Sequence, residues 1–174
     1  RLAVPPPLGG WDRDIDTAGE ILQWSGAFDT LLGAGYDIAG SDITIANRLI
    51  DVTSELYRNY TNPATAGGVV NLHQNNHRSK SGAAMATAAV VLAEYAPDPA
   101  DDPDGSRDPL KWWDYGTTQV DETLRYILVA GDGAYSEGTH YQRFTTETMA
   151  PFFGMWDRIL GGASWTTADG RVIP

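Results

Sequence analysis

Apolar residues recur at three- and four-residue intervals through most of this chain, the spacing that puts them on one face of a helix. Ile21, Trp24, Phe28 and Leu31 predict a first helix from about Asp16 to Leu32, with Gly33 and Gly35 as its stop. Ile45, Leu49, Val52, Leu56 and Tyr60 predict a second from about Asp42 to Tyr60, capped by Ser41 or Asp42 and ended by Asn62-Pro63. The third, from about Arg78 to Tyr95, is mostly alanine (Ala83, Ala84, Ala86, Ala88, Ala89, Ala93). Alanine favours helix and lets neighbouring backbones approach closely, so this helix is expected in the interior, surrounded by the others.

Asp108-Pro109 reads as an N-cap followed by proline at the first helical position. It opens a helix that runs through Val120, Leu124, Ile127 and Leu128 to Ala130, with Gly116 as a potential break. A last helix is expected from about Tyr141 to Leu160, burying Phe144, Met149, Phe152, Trp156 and Ile159, with Pro151 kinking it or resetting its start. Residues 1–13 form a proline-rich extended entry, 61–76 and 131–139 polar glycine-rich loops, and 96–107 an exposed connection. The tail, 161–174, has room for a short strand or hairpin. The pattern defines an all-α chain of five or six helices joined as antiparallel pairs, a single domain without a fixed-period sequence repeat.

Composition narrows the function. The net charge of −11 lacks the basic footprint that nucleic acid or an anionic membrane surface requires. Any site for a polyanion must therefore be locally basic, and Arg78 and Lys80 are the cations placed for it. Cysteine is absent, which removes disulfides, thiolate metal sites and cysteine nucleophiles. The longest uncharged stretch of the alanine-rich helix, Ser81 to Ala93, is too short to span a bilayer. Six Trp and eight Tyr lean slightly toward a surface that stacks on sugar rings.

All three histidines lie in two polar segments, each leading into an apolar helix: 71–80, with Asn75-Asn76-His77-Arg78, and 132–143, with Glu137, His140, Tyr141 and Arg143. Where a helix begins, backbone N–H groups point outward with partial positive charge. An amide, an imidazole, Arg78 and Lys80 there make a carboxylate-binding corner; the plainer alternative is one asparagine capping the helix and the rest decorating a loop. Tyr141 acts as a base only if cationic neighbours favour its phenolate; alternatively it simply packs at a helix start. His73 and His77 stand four apart but lack the glutamate of the zinc-protease pattern. The run Asp102, Asp104, Gly105, Asp108 has Lys111 where a calcium loop ends in glutamate. No metal is expected at either place. Ser136 lacks the nucleophile-elbow pattern.

Asn75-Asn76-His77 opening an Ala-rich helix, followed by Asp132-Gly133-Ala134-Tyr135-Ser136-Glu137-Gly138-Thr139-His140-Tyr141 opening another, resembles the heparinase II/III-like and alginate lyase families. Ser25 to Leu32 is similar to the helix that precedes these motifs there. The resemblance covers about residues 15 to 160, and its strength lies in both motifs occurring in order, about 64 residues apart. It implies helical hairpins forming part of an (α/α) toroid, an incomplete barrel with substrate lying across its mouth. It implies a secreted or periplasmic enzyme that cleaves uronic-acid-containing polysaccharide by β-elimination, without a cofactor.

In that chemistry Asn76 and His77 bind the uronate carboxylate and stabilise enolate-like charge, while Tyr141 moves a proton. Asn75, Arg78, Lys80, His140 and Arg143 are the expected substrate-binding residues, and Glu137 orders its loop. Members of these families are longer and carry a β-sandwich domain with a further catalytic His or Tyr, so this chain is expected to be a fragment whose activity needs the remaining toroid helices or that domain. The alternatives are a non-catalytic carbohydrate-binding helical module and a structural or interaction domain.

Overall fold

The computed structural model describes residues 13–36, 40–61, 76–127 and 139–174. Five α-helices account for most of them: α1 (Arg13–Gly33), α2 (Asp42–Thr61), α3 (Asn76–Val91), α4 (Pro109–Ile127) and α5 (Thr139–Leu160). Two 3-10 turns, Ala93–Tyr95 and Pro99–Asp101, join α3 to α4. After α5, β1 (Trp165–Thr166) and β2 (Val172–Ile173) form a small antiparallel hairpin, with Trp165 opposite Ile173. The all-α expectation holds, and so does the expectation of a short hairpin in the tail.

Alanine explains the centre of the fold. Helix α3 packs against each of the other four helices, most extensively against α4 and α1. Ala83, Ala84, Met85, Ala86, Ala88 and Ala89 are all buried. At the crossing with α4 the backbones touch. A Cβ placed on Gly82 would lie 2.7 Å from the Gly116 carbonyl oxygen, and one on Gly116 would lie 2.5 Å from that of Gly82. Gly116, a potential break by sequence, therefore does not interrupt α4. It is there to let α3 in, and the tertiary contact offsets its poor helix propensity.

The helix ends follow their capping chemistry. Helix α1 closes with paired bonds from Tyr36 N–H to the Leu31 carbonyl (3.1 Å) and from Gly35 N–H to that of Leu32 (3.0 Å). This Schellman arrangement needs a left-handed residue, and Gly35 supplies it at φ 68°. The Ser41 carbonyl accepts from Ile45 to start α2 (2.9 Å). The Asp108 carboxylate accepts from the Leu110 amide (2.9 Å), ahead of Pro109 at the first position of α4.

Several burial expectations are corrected. Trp24 (45% exposed) and Leu31 (36%) lie off the contact stripe of α1, which is Ala18, Ile21, Ser25 and Phe28. Against the small residues of α3 that stripe is only about one side chain wide per turn, so a flanking tryptophan stays outside. Ile159 is 47% exposed, on the rim of an apolar groove of about 470 Å³ with Leu110, Trp113, Leu160 and Trp165. Helix α3 starts two residues earlier than expected and ends at Val91, the turn at Ala93–Tyr95 taking over.

Pro151 neither ends α5 nor resets its start, since the helix runs from Thr139 across it. Buried Met149 and Phe152 on either side anchor that stretch against the lost hydrogen bond. The connection 96–107 is less exposed than expected, because Asp102 and Ser106 are buried and the Ser106 carbonyl accepts from the Trp112 indole (2.6 Å).

Candidate functional site

The first turns of α3 are polar and yet buried. Asn76, His77, Arg78, Ser79 and Ser81 are each at most 7% exposed. Polar side chains in such positions cost free energy unless partnered, so their partners define the site.

His77 Nδ1 lies 3.0 Å from both carboxylate oxygens of Asp14, in the first turn of α1. The Tyr60 hydroxyl, at the end of α2, donates to Asp14 Oδ2 (2.5 Å), and the Ser81 hydroxyl donates to the Tyr60 oxygen (3.1 Å). Three helices thus contribute to one chain of hydrogen bonds: Ser81, Tyr60, Asp14, His77. Burial alone would raise the Asp14 carboxyl, but the hydrogen bonds from His77 and Tyr60 and the charge interaction with His77 outweigh it and hold it below its ordinary value. Burial and the neighbouring Asp14 charge push the Tyr60 phenol far up, so Tyr60 is a fixed donor. Tyr115 donates to the Tyr60 carbonyl (3.2 Å), and its own phenol is pushed up to about 12, chiefly by burial.

Because an ionised carboxylate only accepts, the Asp14 contact assigns the proton of a neutral His77 ring to Nδ1. Nε2 is then the acceptor. The sequence offered little warning of this pair: Asp14 reads as an acid complementing the dipole at the start of α1, and Tyr60 as one more apolar-stripe residue.

The other expected site residues divide. Arg78 Nε donates to Gln119 Oε1 (2.5 Å) and its terminal nitrogen pairs with Glu122 (3.0 Å), both on α4. Glu122 also pairs with Arg171 of the tail hairpin (3.0 Å). The guanidinium expected to meet an acidic sugar therefore ties α3 to α4. Lys80 is half-buried beside Gly19 of α1; desolvation lowers its ammonium from the ordinary value despite the opposing charges of Asp16 and Asp14. Arg143 is exposed and paired with Glu147 one turn along α5 (2.7 Å).

Asn75, His73 and the loop 131–138 with Glu137 lie outside the described residues, as do the side chains of His140 and Tyr141. The backbone of those last two occupies the first turn of α5, a helix that packs on α3.

The aspartates of the acidic connection are engaged in turns. Asp102 accepts from the Arg107 amide (3.0 Å), and Asp104 accepts from the Ser106 amide (3.0 Å) and from Arg58 (3.3 Å). Among the described residues no group of His, Cys, Asp or Glu is arranged to hold a metal ion, and no helix is long and apolar enough to cross a membrane. No protein family, curated protein or solved structure matches this chain.

Proposed function

We propose that this chain is the substrate-binding helical part of a polysaccharide lyase that cleaves a uronic-acid-containing polymer by β-elimination, its hairpins forming part of an (α/α) toroid. The observation that carries the reading is the buried polar start of α3: Asn76 and His77 side by side at a helix N-terminus, with His77 held by Asp14. A hydrophobic core has no need of that corner, whereas a carboxylate ligand is served by an amide, an imidazole and helix N–H groups. The order of the two motifs, one opening α3 and the other leading into α5, supports the same reading.

β-Elimination needs the C5 proton of a uronate to become removable. Neutralising the adjacent carboxylate does this, because the electron pair left at C5 is delocalised onto it. The pair then forms the C4–C5 double bond as the C4–O bond breaks, and the departing oxygen takes a proton. Asn76 and His77 meet the carboxylate, and Tyr141 serves the proton transfer, at C5 or at the leaving oxygen according to substrate stereochemistry. Lys80 contributes positive charge at the rim, while Arg78 acts indirectly by bracing α3 against α4. The substrate class implies a secreted or periplasmic setting and no cofactor. Remaining toroid helices or a β-sandwich domain would complete the cleft.

The test is the ultraviolet absorbance of an unsaturated uronate, followed as the chain and its longest natural form meet alginate, heparan sulfate, hyaluronan and chondroitin. A rise with one polymer that falls by about 10²-fold or more in Tyr141→Phe is expected. Binding without any rise in either form would make the protein a carbohydrate-binding module. The absence of both binding and turnover would remove the reading.

A further inference from the structure

A buried histidine-carboxylate pair can be a staple between helices or a device that sets one ring nitrogen, and the surrounding contacts separate these. In a staple the carboxylate needs only to reach the ring. Here both oxygens stand 3.0 Å from Nδ1, and the Tyr60 hydroxyl holds the carboxylate through Oδ2, itself steadied by Ser81. Asp14 comes from α1, Tyr60 from α2, and His77 with Ser81 from α3, so the orientation is fixed by the packing of three helices. The His77 side chain is itself buried, with 8% of its surface accessible, so its partners hold it with little competition from water.

We infer that Asp14 and Tyr60 are positioning residues that lock the neutral His77 ring in the form protonated at Nδ1, so that Nε2 is the nitrogen through which the ring gains or gives up its second proton. A free neutral imidazole exchanges its proton between the two nitrogens. The carboxylate removes that exchange, and a positive charge arising on the ring is stabilised in place. Within the lyase reading, on which only this last step rests, a proton taken up at Nε2 makes the ring an imidazolium whose Nε2–H donates to the uronate carboxylate while Asp14 balances its charge, and Asp14 and Tyr60 act through His77 without touching substrate.

The chain has three histidines, so the ring of His77 is assignable by its loss in His77→Gln. Long-range nitrogen-proton correlation spectra at a pH where the ring is neutral are expected to show Nδ1 protonated and Nε2 bare. Asp14→Ala is expected to move the ring toward the Nε2-protonated form, and Tyr60→Phe to do so in part. If Asp14→Ala does not fold, Asp14→Asn gives the same readout with the shape kept, since a carboxamide can also offer N–H to the ring. A wild-type ring protonated at Nε2, or one unchanged in each folded variant, would overturn the inference. On an active polymer, Asp14→Asn is expected to lower kcat by about tenfold or more while KM stays within about twofold. The Nδ1 form in a protein that neither binds nor cleaves any of the polymers, as this chain or in its longest natural form, would remove the lyase reading and leave the positioning of His77 standing.

Discussion

The two ends of α3 solve opposite problems. From Gly82 to Ala89 the helix is nearly stripped of side chains, and its backbone meets that of α4 at Gly116. From Asn76 to Ser81 the same helix is buried at every residue but the half-buried Lys80, and it is lined with amide, imidazole, guanidinium and hydroxyl groups. The first half-helix gains stability through close approach. The second costs desolvation and recovers it only through partners drawn from α1, α2 and α4. A chain under pressure for stability alone has no reason to put both on one helix. The close-packed end gives the polar end a rigid base.

This contrast can be broken at several points. The largest effect is expected at the Arg78–Glu122 pair, which joins the polar end to α4. Glu122→Ala removes a carboxylate facing a guanidinium that is 6% exposed, and should cost roughly 3–5 kcal/mol in urea unfolding. A loss below about 1 kcal/mol, the range of an exposed pair, would mean that water already screens it.

Gly116→Ala sharpens the account of the other end, because two effects oppose each other. Helix propensity alone would stabilise by about 1 kcal/mol. The new Cβ would sit 2.5 Å from a backbone oxygen that cannot swing aside, and overpacking costs about 1–3 kcal/mol. Net destabilisation is expected. A more stable variant would show that α3 and α4 stand further apart.

Acid should weaken the polar end selectively. The Asp14 carboxyl is held below its ordinary value of 3.8, so the native state keeps it ionised more readily than the unfolded chain does. Its contribution is complete above the unfolded value and is lost as pH falls through 3.8 toward the native value. Stability measured between neutral and strongly acidic pH should therefore fall less steeply in Asp14→Asn than in the wild type. Parallel curves would count against the pair with His77. The smallest effect belongs to Trp24→Ser on the outer side of α1, within about 0.5 kcal/mol in thermal unfolding.

Much of the fold was legible. The apolar spacing located the helices, Asp108-Pro109 marked the start of α4, and the alanine run announced a central helix. What escaped has a common cause. Trp24 and Ile159 fit a helical stripe by spacing, but spacing does not say how wide a stripe the neighbouring helix will cover. Gly116 was ambiguous until its partner Gly82 was known. At the site, the start of α3 was visible as a cluster of polar residues ahead of an apolar helix. Asp14 and Tyr60 were not, since each looks ordinary in its own segment and meaning comes from a contact spanning 63 residues to His77 and another spanning 46 between them. Arg78 shows the reverse: a cation that stands out in its own segment, with Gln119 and Glu122 of α4 as partners that spacing does not announce.

The central claim is that the polar corner at the start of α3 exists for an acidic sugar. Its most direct test is the thermal unfolding of the wild-type chain and of Asn76→Ala, each with and without saturating uronate oligosaccharide. A ligand that binds the native state raises its stability by about 2.7 kcal/mol at a hundredfold excess over Kd. The account predicts a clear upward shift of Tm for the wild type and its loss in Asn76→Ala. Equal shifts in both proteins would place the sugar elsewhere, and no shift with any uronate would contradict the claim.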